Sequence, residues 1–379
     1  MLTYGTRLER GSRLGILLAC LVAALEPLSA TQYYVRSDGN DSLCNGTLNA
    51  PSTQGAPNCA FATPARALNQ APQGAYPSYF VHNNTGDDLQ IGAGTWPQLL
   101  IPENFKGLDT DGIVIAGDPS ISRLQIKIAA AGSEEEAVFS AAGSGNKSTQ
   151  YLTLKHMSIT AGTKHGIYLS GRHQYVSLTD LESVPGDFPL ITGRTSGDNS
   201  SAVIRVGKST DTNSSHIVLS NSRFIGGSDV TEQGISGEDA HFMVFHSVDS
   251  KVSNIEASHF LGSFVAELSH RSYIENSNYS YSVCAPHEGC VFSYNDNEIV
   301  VRRNVFHDIR PGATTPVIRI RQRPGEADAE LFAYNNTIIG IAGTPSGPTV
   351  GVQLAPTDGS TSTHSKRAVV INQYLHEFG

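Results

Sequence analysis

Short runs in which apolar and polar residues alternate recur along most of the chain. They read YLTLKHMSI (151–159), YVSLTDLESV (175–184), HIVLSNSRFI (216–225), KVSNIEASHF (251–260), SYIENSNYSY (272–281), EIVVRRNVF (298–306), ELFAYNNTII (330–339) and AVVINQYL (368–375). Each of the first seven is followed by a second run: HGIYLSG, SAVIRVG, AHFMVFHS, SFVAELSHR, GCVFSYND, TPVIRIRQR and PTVGVQLAP. A two-residue period marks strands with one buried face. Recurrence of the pair at roughly twenty to forty residues is the signature of a solenoid whose coils stack. Asp180, Asn221, Asn304 and Asn336 fall near one position after the first run, where a side-chain amide tolerates a bend and stacks into a ladder. A sandwich or propeller is the alternative, but the Asn-Gly and Asp-Gly hairpin turns it needs are almost absent after the N-terminal region.

Composition agrees with strands and turns. Of 379 residues, 16% are charged, 39% are hydrophobic and 37 are Gly. One domain is expected over 31–379, because stacked coils grow along one axis. The net charge of −9 argues against general affinity for nucleic acid or anionic membranes. At the start, Arg7, Arg10 and Arg13 precede the apolar LGILLACLVAAL, too short for a membrane span, and Leu28-Ser29-Ala30 offers a cleavage site. Residues 1–30 therefore read as a signal peptide, and the mature chain is expected to be secreted, extracellular or periplasmic. Four cysteines remain, and the sequence-local pairings Cys44–Cys59 and Cys284–Cys290 are the expected disulfides. Metal binding is the rival reading of those cysteines, with spacings unlike zinc pairs.

The opening YYVRSDGNDSLCNGTLNAPSTQGAPNCAFATPARAL combines a strand, a polar loop and a short helix, with Thr63 as N-cap, Pro64 first in the helix, and Ala65, Ala67, Leu68 and Ala71 along one side. Next comes GDDLQIGAGTWPQ, with Trp96 at an aromatic position. Together with the repeats, these segments resemble secreted right-handed parallel β-helix proteins of the pectate lyase-like superfamily. The resemblance covers nearly the whole mature chain. It implies an all-β right-handed parallel β-helix with a cap region (31–75) whose short helix covers the open core. The last segment looks like a coil cut short, so the expectation is an incomplete C-terminus or an end covered by a partner.

Alternation also sorts candidate chemistry. Inward Ile204 and Val206 send Arg205 outward, inward Ile318 and Ile320 send Arg319, Arg321 and Arg323 outward, and inward Ala266 and Leu268 send Glu267, Ser269 and Arg271 outward. Coils about 4.8 Å apart would align Tyr168, Arg205, a residue of HFMVFHS, Glu267, Ser293, Arg319 and Gln353 into one outer strip. Guanidinium forks on such a strip match the carboxylates of an acidic polysaccharide. Solvated strand positions paired among themselves are the plainer account.

The stretch SGEDAHFMVFH followed by FVAELSHRSYIE also resembles the paired coils of these proteins, with a distant similarity to chondroitinase B and alginate lyases. On that match His241 takes the histidine position and Arg271 the arginine position, while Ser269 stands where the lyases carry lysine. β-Elimination on a uronic acid needs the carboxylate neutralised, a base, and an acid for the leaving oxygen. The expected catalytic residues are Arg271, His241 and His270, and the expected substrate contacts are Arg205, His246, Glu267, Arg319 and Arg321. Glu238 and Asp239 are the candidate ligands of a calcium ion. The clustered aspartates of β-helix hydrolases are missing. Triplets at Asn40, Asn45, Asn83, Asn146, Asn199, Asn213, Asn278 and Asn335 fit N-glycosylation acceptors, a pattern that an Asn/Ser/Thr-rich solenoid also generates by chance. The reading is a monomer that binds and cleaves an acidic extracellular polysaccharide. A non-catalytic glycan-binding module and a structural scaffold are the alternatives.

Overall fold

The structure, a computed structural model, describes residues 30–68, 81, 86–103, 105–130, 136–141, 148–160, 164–185, 201–207, 214–227, 240–260, 271–282, 290–294, 298–309, 317–322, 329–340, 352–356 and 366–376. Every strand pairing among them is parallel. The strands form an 18-stranded, a five-stranded and a three-stranded sheet. Parallel neighbours need a crossover, and right-handed crossovers are the rule for L-residues. The chain is a right-handed parallel β-helix.

The alternation explains the core. One inward column runs Leu89, Ile115, Leu154, Leu178, Leu219, Val252, Ile274, Val301 and Ala333, each on the next strand of the large sheet. All of these residues are buried. In the five-stranded sheet, Leu99, Val138, Ile167, Ile204 and Met243 form a second column. Each buried Leu or Ile stabilises the coil by about 1.5–3 kcal/mol relative to exposure. A one-residue slip would turn the column to solvent, so the register is fixed.

The N-terminal cap follows the sequence closely. A helical turn, Pro64–Ala67, starts from Thr63, whose Oγ1 accepts from the Arg66 N–H at 3.2 Å. Asp41 holds the cap in place by accepting from the backbone of Ala62 and Thr63 and from the Thr63 hydroxyl. Phe61, Ala67 and Leu68 close the core, and the expected continuation to Ala71 lies outside the described residues. Cys44 and Cys59 form a disulfide beside this cap. Cys290 is also disulfide-bonded, and Cys284 lies outside the described residues. No helix among the described residues is long and apolar enough to cross a membrane.

Two of the bends in the large sheet position the outer surface described below. The earlier bend is occupied by Tyr151, Tyr175, His216, Asp249, Arg271 and Glu298, and the later one by His156, Asp180, Asn221, Asn254, Asn276, Arg303, Asn335 and Asn372, all with positive φ. Asn304 and Asn336, expected at the bend, stand one position later and point inward. There the Asn336 Oδ1 accepts from the backbone and side-chain amides of Asn304, both at 3.1 Å. The amide ladder exists, but it lines the interior next to the bend.

Candidate functional site

Between the two bends each strand turns only a few side chains outward, and register stacks them. One row runs Lys155, Thr179, Ser220, Ser253, Glu275, Arg302 and Tyr334; its neighbour runs Thr153, Ser177, Val218, Lys251, Tyr273, Val300 and Phe332. The N-terminal half of this face is small and hydroxylated. Its C-terminal half is aromatic and cationic.

The C-terminal half converges on Glu275. Its carboxylate meets Lys251 Nζ at 2.7 Å, Arg302 Nη2 at 2.5 Å and Arg303 Nη2 at 3.3 Å. Burial works against the charge, but the hydrogen bonds and fields of Lys251 and Arg302 outweigh it and pull the carboxyl down to about 2. Three cations on one carboxylate leave two positive charges in excess. Arg302 also donates to the Tyr334 hydroxyl at 2.8 Å and lies 5.7 Å and 5.8 Å from the ring centres of Tyr273 and Tyr334. Tyr273 is 42% exposed, so a flat ring and a guanidinium face solvent together.

Alongside, following the later bend, runs an open trough of ≈ 580 Å³. Asn221, Asn254 and Asn276 line one side, Arg223, Glu256, Asn278 and Val305 the other, with Arg123 at one end and Arg303 at the other. Asn254 donates to the Asn221 oxygen at 3.1 Å. Asn278 contributes a buried amide oxygen that accepts no hydrogen bond among the described residues. At the Arg123 end the charges close on themselves. Arg123 pairs with Asp180 and Glu182, and Arg223 lies 3.6 Å from Glu182 and 3.3 Å from Glu256. His156 pins the chain crossing above, with Nδ1 2.6 Å from Asp180 and Nε2 2.9 Å from the Ile121 carbonyl. Burial opposes its protonation, yet the Ile121 carbonyl and the Asp180 carboxylate raise its pKa.

The structure places some of the residues singled out from sequence and leaves others outside the described residues. Tyr168, Arg205 and Val244 are aligned as the strip required, as are Arg319 and Gln353. Arg319 aligns with Phe292 rather than Ser293, because Val291, not Phe292, shares the buried position of Ile318. Arg205 was expected to be exposed, yet it is 2% exposed and packs 6.0 Å from the Tyr168 ring, so the outer face of that sheet is covered there. His246 is 1% exposed and does not face solvent. Arg271 is exposed, but it stands at the earlier bend and not on the outer strip, and it grips Asp249 through Nε at 2.6 Å and Nη2 at 2.7 Å. The Arg271 guanidinium holds the Asp249 carboxyl below its ordinary range. His241 lies on the strand Ala240–Phe245, in register with Ala202, and Arg321 on Ile318–Gln322, in register with Tyr294. Glu238, Asp239, Glu267 and His270, and hence the expected calcium ligands, lie outside the described residues.

Glu275, Lys251, Arg302, Arg303 and Tyr273 were missed. Aligning YIENS with VVRRN gives the register that stacks Glu275 on Arg302, and that was the available signal.

No family model and no curated protein matches the chain. Among solved structures it is similar to an alginate lyase from Paenibacillus sp. str. FPU-7, with TM-score 0.43 and 14% identity over 82% of this chain and 94% of that one. The surface protein and adhesin PfbA of Streptococcus pneumoniae gives TM-score 0.42 and 11% identity over 77% and 89%. The pectin methylesterase PemA from Erwinia chrysanthemi gives 0.38 and 10% over 86% and 93%. At these scores the functional reading rests on the chain's own side chains.

Proposed function

We propose that this chain is a secreted protein that engages an acidic polysaccharide lying along the trough from Arg123 to Arg303. The observation that carries the reading is the pair of excess positive charges around Glu275, at the end of an amide-lined groove, on a chain whose net charge is −9. Guanidinium groups take carboxylate or sulfate, amides take sugar hydroxyls, and Tyr273 offers a flat apolar face to a pyranose. The leader-like residues 1–30 and the Cys44–Cys59 disulfide support an extracellular setting.

Cleavage by β-elimination, with Arg271, His241 and His270 in the catalytic roles, is the further step of the same reading. Arg271 would first have to leave Asp249, so binding is the primary claim. The experiment is a panel of uronic-acid and sulfated polymers, with calcium and with chelator, scored for retention in affinity electrophoresis and for the absorbance of unsaturated ends. Retention of acidic but not neutral glycans is expected. Indifference to every acidic glycan would sink the reading, and retention without new absorbance would leave a binding module.

A further inference from the structure

Charge is distributed unevenly along the trough. Arg123 is answered by Asp180 and Glu182, and Arg223 by Glu182 and Glu256, so that portion carries no surplus of positive charge. Glu256 is 54% exposed, and its carboxyl group lines the groove. A carboxylate placed against it would be repelled. Among the described residues lining or flanking the trough, the excess cations are Arg302 and Arg303. Register sets the distance between the two portions: Arg223, Glu256, Asn278 and Val305 occupy successive strands. Three steps of about 4.8 Å separate Arg223 from the strand that follows Arg302 and Arg303, or about 14 Å along the axis.

Building on the polysaccharide reading above, we infer that the ligand is a heteropolysaccharide whose acidic sugars are spaced by neutral ones, and not a uniformly charged polyuronate. The acidic sugar sits at Arg302 and Arg303 with Tyr273 against its ring, and neutral sugars lie over Asn221, Asn254 and Asn276. A polymer with a carboxylate on every ring would set one against Glu256 whenever another reached the cationic end.

The test compares size-matched fragments of polygalacturonate, hyaluronan and gellan at equal uronate concentration and low salt, using the full chain and titration calorimetry. Gellan, whose uronates are separated by three neutral sugars, is expected to bind at least about tenfold more tightly than polygalacturonate, a difference of about 1.4 kcal/mol, whereas hyaluronan, whose alternate uronates again reach Glu256 two coils away, gains less. Glu256→Gln, a substitution at an exposed position, is expected to narrow that ratio by improving polygalacturonate binding. Equal or tighter binding of polygalacturonate, with no response to Glu256→Gln, overturns the inference while leaving the acidic-polysaccharide reading intact. Binding of none of the three removes that reading itself, and this inference with it.

Discussion

The two ends of the trough use the same residue types to opposite effect. At the Arg123 end, Asp180, Arg123, Glu182, Arg223 and Glu256 alternate in sign, and His156 adds a further contact to Asp180. At the Arg303 end, one carboxylate holds three cations. Exposed ion pairs contribute little to stability, with typical values of about 0–1 kcal/mol, so the balanced end is best understood as a clasp that fixes the chain crossing at Ile121 and Arg123. Glu275 is buried under the long side chains that it gathers, which keeps those cations in place and still partly exposed. The lesson is that a cluster of arginines does not define an anion site until its carboxylates are subtracted.

The largest expected effect comes from erasing the difference. Arg302→Ala with Arg303→Ala leaves Glu275 paired one-to-one with Lys251, and affinity for any acidic glycan that the protein binds should fall at least about 100-fold. Each lost charge-assisted contact accounts for about 1.5–3 kcal/mol. Titration calorimetry checks this, and a loss below threefold would detach the cationic end from binding.

Next in size is acid sensitivity. The Glu275 carboxyl is depressed to about 2, so its contribution is present above the unfolded value near 4.5 and is lost as pH falls from there toward 2. Wild type should lose about 1–2 kcal/mol more than Glu275→Gln across that window, with allowance for solvent screening around the exposed partners. Urea midpoints at pH 5 and pH 2.5 measure it.

The smallest effect has the opposite sign. His156 is raised, so its clasp is fully present below 6.5 and weakens as pH climbs through the higher folded value. Protection against hydrogen exchange in residues 118–125, relative to the intrinsic rate at each pH, should fall over that range in wild type, while His156→Asn shows no such step.

How much of this was legible in the sequence divides along one physical line. The apolar columns, the Thr63 cap and the Cys44–Cys59 pair follow from alternation, capping chemistry and local spacing, and all three are present. The bends were harder. Asn221 and Asn254 announce a left-handed residue, but Tyr175, Arg271, Glu298 and Arg303 adopt the same conformation because the coils above and below impose it. That is why Asn304 was set one position too early and why Arg271 was read as a strand residue. The Glu275 cluster depends on that same register, since its partners lie 24 to 28 positions away in sequence or on the adjoining coil. Arg205 shows the remaining gap: alternation tells which way a side chain leaves the core, but not whether another part of the chain then covers it.

Because each successive coil between Thr149 and Tyr334 adds one member to each outward row, separation along the surface comes in whole steps. Gaining or losing a turn between Arg223 and Arg302 would move the cationic end by one fixed increment and leave the chemistry at both ends unchanged. The β-helix thus behaves as a ruler, on which the spacing of recognised groups can be reset without redesigning any of them.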